Sequence, residues 1–342
     1  MPQKFFSNVS ERTIKCLACR HYCSIPDGGY GLCGARENVK GKINCVLCNK
    51  PASLNLDPIE KKPLYHYLPN TKTMSIGFFG CNFKCDFCQN FETTFVRGAQ
   101  AKKESALLEE ITPQKFVELA VKKKAKSIAF TYNEPSITPE FNLEAIALAK
   151  KLSPSLGTIY VTNGYTSTEQ IEELSKKKTK LDAANIDLKS FNNNFYKKIC
   201  GSELEGVLAG IKEYHKKGIW IEITTLLISG KNDSEEELKQ IASFISELDH
   251  NIPWHISAFF PTHKMYNVPP TTAEEIKRAI QIGKNAGLNY IYGGNVRADF
   301  EDTHCPKCNH LLIRRQGFGA EVIGLEKNKC ANCKEKIVGI FE

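Results

Sequence analysis

One short loop carries the most chemistry in this 342-residue chain: Gly80-Cys81-Asn82-Phe83-Lys84-Cys85-Asp86-Phe87-Cys88-Gln89-Asn90. Three thiolates at CxxxCxxC spacing can cover three irons of a [4Fe–4S] cubane and leave the fourth iron without a protein ligand. As in open catalytic zinc sites, a vacant coordination position is where a substrate or cosubstrate binds. The plainer alternative is a structural zinc knuckle with a distant fourth ligand, or three unrelated thiols.

The other cysteines are clustered too. Of fourteen, six lie between Cys16 and Cys48, four between Cys305 and Cys333, and Cys200 stands alone. The first residues, MPQKFFSNVSERTIK, contain no apolar leader, so a cytoplasmic protein is expected. That compartment keeps thiols reduced, and spacings of two to four residues then point to metal rather than disulfides. Cys305-Pro-Lys-Cys308 and Cys330-Ala-Asn-Cys333 are spaced as a zinc ribbon, with rubredoxin-like iron or an auxiliary cluster as alternatives. A metal there would supply folding energy that so short a tail lacks. At the N-terminus six thiols overfill one site. Cys16, Cys19, Cys23 and Cys33 form one candidate set, and Cys16, Cys19, Cys45 and Cys48 another, with His21 as a spare donor. The spacing does not choose between zinc and iron–sulfur. Cys200, before Gly201, reads as an ordinary thiol.

These motifs need elements to hold them. Residues 1–70 form a Cys-rich segment ending in an extended connector from Pro51 to Pro58. Residues 71–300 alternate strands and helices, and 301–342 form the zinc-ribbon-like tail. Strands are expected at Thr73–Phe79, Ser127–Tyr132, Thr158–Thr162, Ala183–Leu188, Trp220–Leu227, Trp254–Phe260 and Tyr290–Tyr292, as short apolar runs of the buried parallel kind. Helices are expected at Pro113–Lys124 and Pro139–Leu152, capped by Thr112 and Thr138, and at Ser167–Lys177, Gly206–Lys217, Ser234–Leu248 and Thr272–Ala286. About six β-α units predict an α/β fold, a partial (β/α) barrel, with a doubly wound sheet as the alternative. The first strand is not followed by GxGxxG, which argues against dinucleotide binding. The three-cysteine loop then leaves the C-terminal end of the first barrel strand, where such folds keep their active sites.

Hydrophobic content of 42% and 25% charged residues are ordinary for a globular protein, and no run approaches the ~18–20 apolar residues of a membrane span. No membrane association is expected. The formal charge of +8 is spread out, with clusters at Lys122–Lys124 and Lys176–Lys178 near helix ends, so nucleic acid stays open as a partner but is weakly indicated.

With an aromatic residue, Phe87, just before its last cysteine, the loop resembles radical S-adenosylmethionine (radical SAM) enzymes, especially activating enzymes of glycyl-radical enzymes such as pyruvate formate-lyase. Pro63-Leu-Tyr-His-Tyr67, Gly80-Cys-Asn-Phe-Lys-Cys85, Cys88-Gln-Asn90, Thr131-Tyr-Asn-Glu-Pro135, Asn185-Ile-Asp-Leu-Lys189 and Gly294-Asn-Val296 are similar to one subgroup, the AmmeMemoRadiSam system radical SAM enzymes. So are Cys16, Cys19, Cys23 and Cys33, which resemble a motif ahead of that family's barrel.

The resemblance implies an oxidoreductase that binds SAM at the open iron. An electron from a donor such as a ferredoxin or flavodoxin cleaves SAM to a 5′-deoxyadenosyl radical, which abstracts a hydrogen atom. The target is expected on a partner protein or a small molecule. Radical modification of RNA, or a non-catalytic metal-stabilised scaffold, are the rival readings. AMMECR-like and Memo-like proteins are implied partners. Glu134 would face the methionyl amine, although the two glycines that precede it in related activases are here Tyr132 and Asn133. Asn163, which closes the third strand, is a further cofactor-binding candidate. Asp187 and Lys189, on one face at a strand end, would hold the methionyl carboxylate. His263 and Asn295 would reach the ribose side of the same pocket. His66 and His255 are weaker candidates, and His255 reads as a core histidine.

Overall fold

The computed structural model describes residues 5–296 and 298–342. Contacts divide the chain into two compact units: one runs through Asp57 and adds Lys72–Ala184 and Glu205–Ile219, the other comprises Pro58–Thr71, Asn185–Leu204 and Trp220 onward.

The first unit opens with an antiparallel sheet of β1 (Phe6–Asn8), β2 (Thr13–Cys16) and β3 (Ser24–Pro26), then a hairpin of β4 (Arg36–Val39) and β5 (Lys42–Cys45). The Cys-rich segment, which lacks periodicity in sequence, is therefore built of very short strands. β6 (Ser53–Pro58), expected as a connector, is an edge strand beside β7 (Lys72–Gly77). Prolines at its margins suit an edge, where a missing N–H costs no ladder bond. β7, β8 (Ser127–Phe130) and β9 (Gly157–Thr162) are parallel neighbours. Met74, Ile76, Ile128, Phe130, Ile159 and Tyr160 are buried along them. Each such side chain contributes about 1.5–3 kcal/mol by leaving water.

The helices of this unit are α1 (Phe91–Thr94), α2 (Gly98–Ser105), α3 (Pro113–Lys122), α4 (Pro139–Leu152), α5 (Thr168–Ser175) and, after α6 of the other unit, α7 (Leu204–Lys216). Thr112 caps α3 by accepting from the Lys115 amide, and Ser167 caps α5 through Gln170. Thr138 does not cap α4 as expected: its side chain accepts no amide hydrogen bond there. A 3₁₀ turn over Pro135–Ile137 precedes α4 instead, with Glu134 accepting from the Ser136 amide.

The second unit carries β10 (Ala183–Asp187, from the boundary), α6 (Asn193–Phe195), β11 (Trp220–Leu227), α8 (Glu235–Asp249), β12 (Trp254–Ala258), α9 (Ala273–Asn285) and β13 (Ile291–Gly294). β11, β12 and β13 are parallel in that order. Thr272 and Glu275 make a full capping box on α9. In each unit, parallel strands alternating with helices give the mixed α/β pattern of a partial (β/α) barrel. The tail adds β14 (Thr303–His304), β15 (Leu311–Gln316) and β16 (Gly319–Val322) as one antiparallel sheet, and β17 (Leu325–Glu326) with β18 (Lys329–Cys330). Among the described residues no helix is long and apolar enough to cross a membrane.

Candidate iron–sulfur and SAM site

The three-cysteine loop leaves β7 through Gly80, whose φ of +79° lies in the left-handed region. A Cβ there would stand 2.4 Å from the Cys33 carbonyl oxygen, so glycine is required by contact as well as by conformation. Beyond it Cys85 is buried, with Cys81 and Cys88 partly exposed. Phe83 and Phe87 are buried beside them. The Phe83 amide donates to Cys81 Sγ at 3.5 Å, and Cys88 Sγ lies 3.2 Å from Thr94 Oγ1. Burial pushes the Cys81 thiol well above its usual range, and the charges of Glu134, Cys85 and Cys88 push it further. Those four groups therefore share one neighbourhood, and a cationic iron centre would reverse the shift by holding the thiolates.

Glu134 is buried, with 2% of its surface exposed. Its Oε1 accepts from Thr162 Oγ1 at 2.7 Å and from the Ser136 amide at 2.9 Å, and its Oε2 accepts from the Asn163 amide at 2.8 Å. Burial raises its pKa against the lowering pull of these donors, and the net direction is upward. An ionised carboxylate offers about four lone-pair sites. One on Oε2 is left for a cationic ligand. Asn163 turns its side chain to the loop, donating to Asn82 Oδ1 at 2.7 Å.

Tyr132 and Asn133, where the resemblance implies two glycines, clamp the same loop. Asn133 Oδ1 accepts from the Phe78 amide and its Nδ2 donates to the Gly80 carbonyl, both at 3.1 Å. Tyr132 has φ +70°, rare for an aromatic residue, and its carbonyl accepts from Asn90 Nδ2 at 2.8 Å. Its hydroxyl donates to Asp57. Asn82, Asn90 and Asn133 lie within the quoted motifs, but the sequence assigned them no role of their own. Only their position two or fewer residues from a Cys or Glu of the motif hinted at these roles.

In the second unit Lys189 Nζ and Asp187 Oδ2 pair at 2.7 Å, and the Lys189 amide donates to Tyr196 Oη at 3.0 Å. Asn295 donates to Ser257 Oγ at 3.1 Å, and His263 sits in the loop after β12; both have positive φ. His255 is buried against Glu222, 2.6 Å from its carboxylate, and His66 is buried between Tyr292 and Val338. Cys200 is a fully buried thiol.

Cys305, Cys308, Cys330 and Cys333 bring their sulfurs within 4.8 Å of one another. Cys305 and Cys333 are 3.6 Å apart, and Cys308 and Cys330 3.7 Å. Zinc–sulfur bonds of about 2.3 Å in a tetrahedron separate sulfurs by about 3.8 Å, so the four fit a single tetrahedral ion.

A model of the Radical SAM superfamily matches residues 75–245, half of the chain. An uncharacterized protein of Methanocaldococcus jannaschii is 37% identical over 337 residues, 97% of each chain. A second protein of that organism, named as a glycyl-radical enzyme activating enzyme, is 26% identical over 65% of this chain and 80% of its own. The pyruvate formate-lyase-activating enzyme of Clostridium pasteurianum is 24% identical over 53% of this chain and 71% of its own.

Proposed function

Since the chain belongs to the radical SAM superfamily, we propose that it is an enzyme whose Cys81, Cys85 and Cys88 hold a [4Fe–4S] cluster with SAM at the open iron. The observation that carries this is the gathering of those three thiols around the end of β7 beside the buried carboxylate of Glu134. When bound, the cluster and SAM supply a 5′-deoxyadenosyl radical that takes a hydrogen atom from the substrate. The chain's own residues do the rest. Glu134 keeps one acceptor position for the methionyl ammonium, a charge-assisted bond in a dry setting. Asn133, Asn163 and Gly80 fix the loop, and Phe83 and Phe87 exclude water. Asp187, Lys189, His263 and Asn295 take the SAM-contact roles that the resemblance implies, each testable by substitution.

In our reading the hydrogen donor belongs to a partner protein, with AMMECR-like and Memo-like proteins as candidates and a ferredoxin or flavodoxin as electron source. The tail's four cysteines hold a structural zinc ion. The test is 5′-deoxyadenosine release from anaerobically reconstituted protein given SAM and a strong reductant. Wild type is expected to release it, and Cys85→Ala to lose both release and the iron of that loop. Failure of wild type to assemble any cluster at this loop would sink the reading.

A further inference from the structure

The first unit encloses a cavity whose lining includes none of Cys81, Cys85 and Cys88. It is lined by Cys16, Cys19, Cys23 and Cys33 together with Arg36 and Asn82. The cysteines come from the end of β2, the turn after it, the approach to β3 and the turn before β4. Cys45 and Cys48, expected as reduced thiols and rivals for this site, are instead disulfide-bonded to each other, their Cα atoms lying 5.5 Å apart and within bridging range.

Spacing separates this set from the tail. Among the described residues, only the four tail cysteines bring three or more ligand atoms within 4.8 Å of one another. A single ion with 2.3 Å bonds spans at most about 4.6 Å between two of its sulfurs. In this arrangement no three of the N-terminal sulfurs fall within one ion's reach. A multi-iron cluster, in which each thiolate binds its own iron, suits sulfurs that converge on one cavity at wider separation.

Two residues of the cavity lining also carry buried donors without a partner. Arg36 is 1% exposed and Asn82 2%. Arg36 gives Nη1 and Nη2 to Glu140, each at 2.8 Å, and its Nε has no partner. Asn82 accepts from Asn163 through Oδ1, and its Nδ2 has no partner. Leaving a buried N–H unmade costs about 1–3 kcal/mol, so two on one cavity call for an acceptor. Inorganic sulfide and cysteine thiolate are such acceptors, and the net negative charge of a four-thiolate cluster suits a buried guanidinium.

We propose that Cys16, Cys19, Cys23 and Cys33 hold a second iron–sulfur cluster, of the four-iron class, with Arg36 Nε and Asn82 Nδ2 donating to its sulfurs. Asn82 lies inside the CxxxCxxC loop, so one side chain borders both sites. His21 Nε2 lies 3.0 Å from the Asn82 carbonyl, and Arg97 donates to the Leu32 carbonyl at 2.9 Å and to that of Phe83. With the contact of Gly80 on Cys33, these bonds tie the second site to the first loop.

The test is a metal count on the full chain, reconstituted anaerobically with ferrous iron and sulfide and read by Mössbauer spectroscopy. Wild type is expected to hold about eight irons and eight sulfides, counting about four per cluster, and about one zinc, counting one per Cys₄ site. A Cys81→Ala, Cys85→Ala, Cys88→Ala variant is expected to keep about four irons as a cubane. Cys16→Ser with Cys19→Ser is expected to keep the other four. Two outcomes would overturn the assignment: a wild type whose iron all disappears in the triple variant, or a wild type with two zincs and a single cluster. Because the wild-type count stands alone, misfolding of a variant does not shield the proposal. Loss of the Cys81 cluster alone would leave iron in both wild type and triple variant, so the two readings fail separately. Arg36→Lys keeps the charge and all four thiols but removes Nε, and a shifted reduction midpoint of the second cluster is expected. An unchanged midpoint would remove Arg36 from the assignment.

Discussion

Glu134 concentrates the polar contacts of the proposed SAM site in one side chain. Three donors hold its carboxylate from two directions, so it locks the end of β9 to the turn before α4 while keeping a single acceptor position. Glu134→Gln exchanges one oxygen for an NH₂ group, which must then face either the Asn163 amide or the donors from Thr162 and Ser136. A charge-assisted hydrogen bond is worth about 1.5–3 kcal/mol. The variant is therefore expected to bind SAM on the order of 10- to 100-fold more weakly, measured by equilibrium binding to the cluster-loaded protein. Affinity within twofold of wild type would take Glu134 out of the SAM site. Asn133 acts differently, by tying Phe78 to Gly80 across the root of the loop. It is a positioning residue whose side chain takes up backbone groups that a glycine there would leave unmet.

At the scale of elements the tail is the clearest case of sequence spacing becoming geometry. After each CxxC pair the next residue has positive φ: Asn309 at +56° and Lys334 at +60°. The Asn309 amide donates to the Cys305 carbonyl and the Lys334 amide to that of Cys330, each at 2.9 Å, closing two matching knuckles. Around them only a small apolar cluster forms, including Leu312, Ile313, Ile337 and the tyrosines Tyr65, Tyr290 and Tyr292. Strands of two to six residues around so small a cluster are expected to depend on a cross-link. Cys308→Ser is expected to lose the zinc proposed for the tail, about one ion per chain for a Cys₄ site, and to open residues after 301 to protease while SAM cleavage persists. Retention of zinc and of protection would show that apolar packing suffices. Elsewhere helix ends follow local chemistry, as in the capping box of α9, whereas Thr138 shows that a threonine before Pro139 need not cap when a 3₁₀ turn already occupies the approach.

For the molecule as a whole, one buried histidine couples stability to pH. His66 Nδ1 lies 2.7 Å from the Val338 carbonyl and Nε2 2.6 Å from the Tyr292 hydroxyl. The carbonyl accepts only, so Nδ1 carries the hydrogen and the neutral ring accepts from Tyr292. Burial pushes the pKa down from 6.5 to about 4, against the raising effects of Glu222 and the carbonyl. Between those values the unfolded chain binds the extra proton, so stability is full above about pH 6.5 and falls as pH drops toward 4. Linkage for this single group gives a loss of about 2 kcal/mol by about pH 5. Denaturant titrations at pH 7.5 and 5 are expected to show that difference in wild type and to lose it in His66→Phe. An equal acid loss in both would place the pH dependence elsewhere.

The α/β alternation, most strand and helix positions, the radical SAM loop and the two tail knuckles were all legible in the residues. Each depends on neighbours a few positions apart: apolar runs, capping residues, CxxxCxxC and CxxC. The short strands of the Cys-rich segment and the edge strand β6 were not, because three- to six-residue strands with few apolar positions take their pairing from what lies beside them. The same holds for the six N-terminal thiols. Their spacing allowed two partitions, and the choice rests on which sulfurs the chain folds toward one cavity with Asn82, 49 to 66 residues further along the chain. Sequence alone determined that this chain carries cysteines spaced for metal centres and the loop of the radical SAM superfamily. Only tertiary structure decided which cysteines face one cavity and which unpartnered donors wait there, because burial and convergence are properties of distant segments brought together.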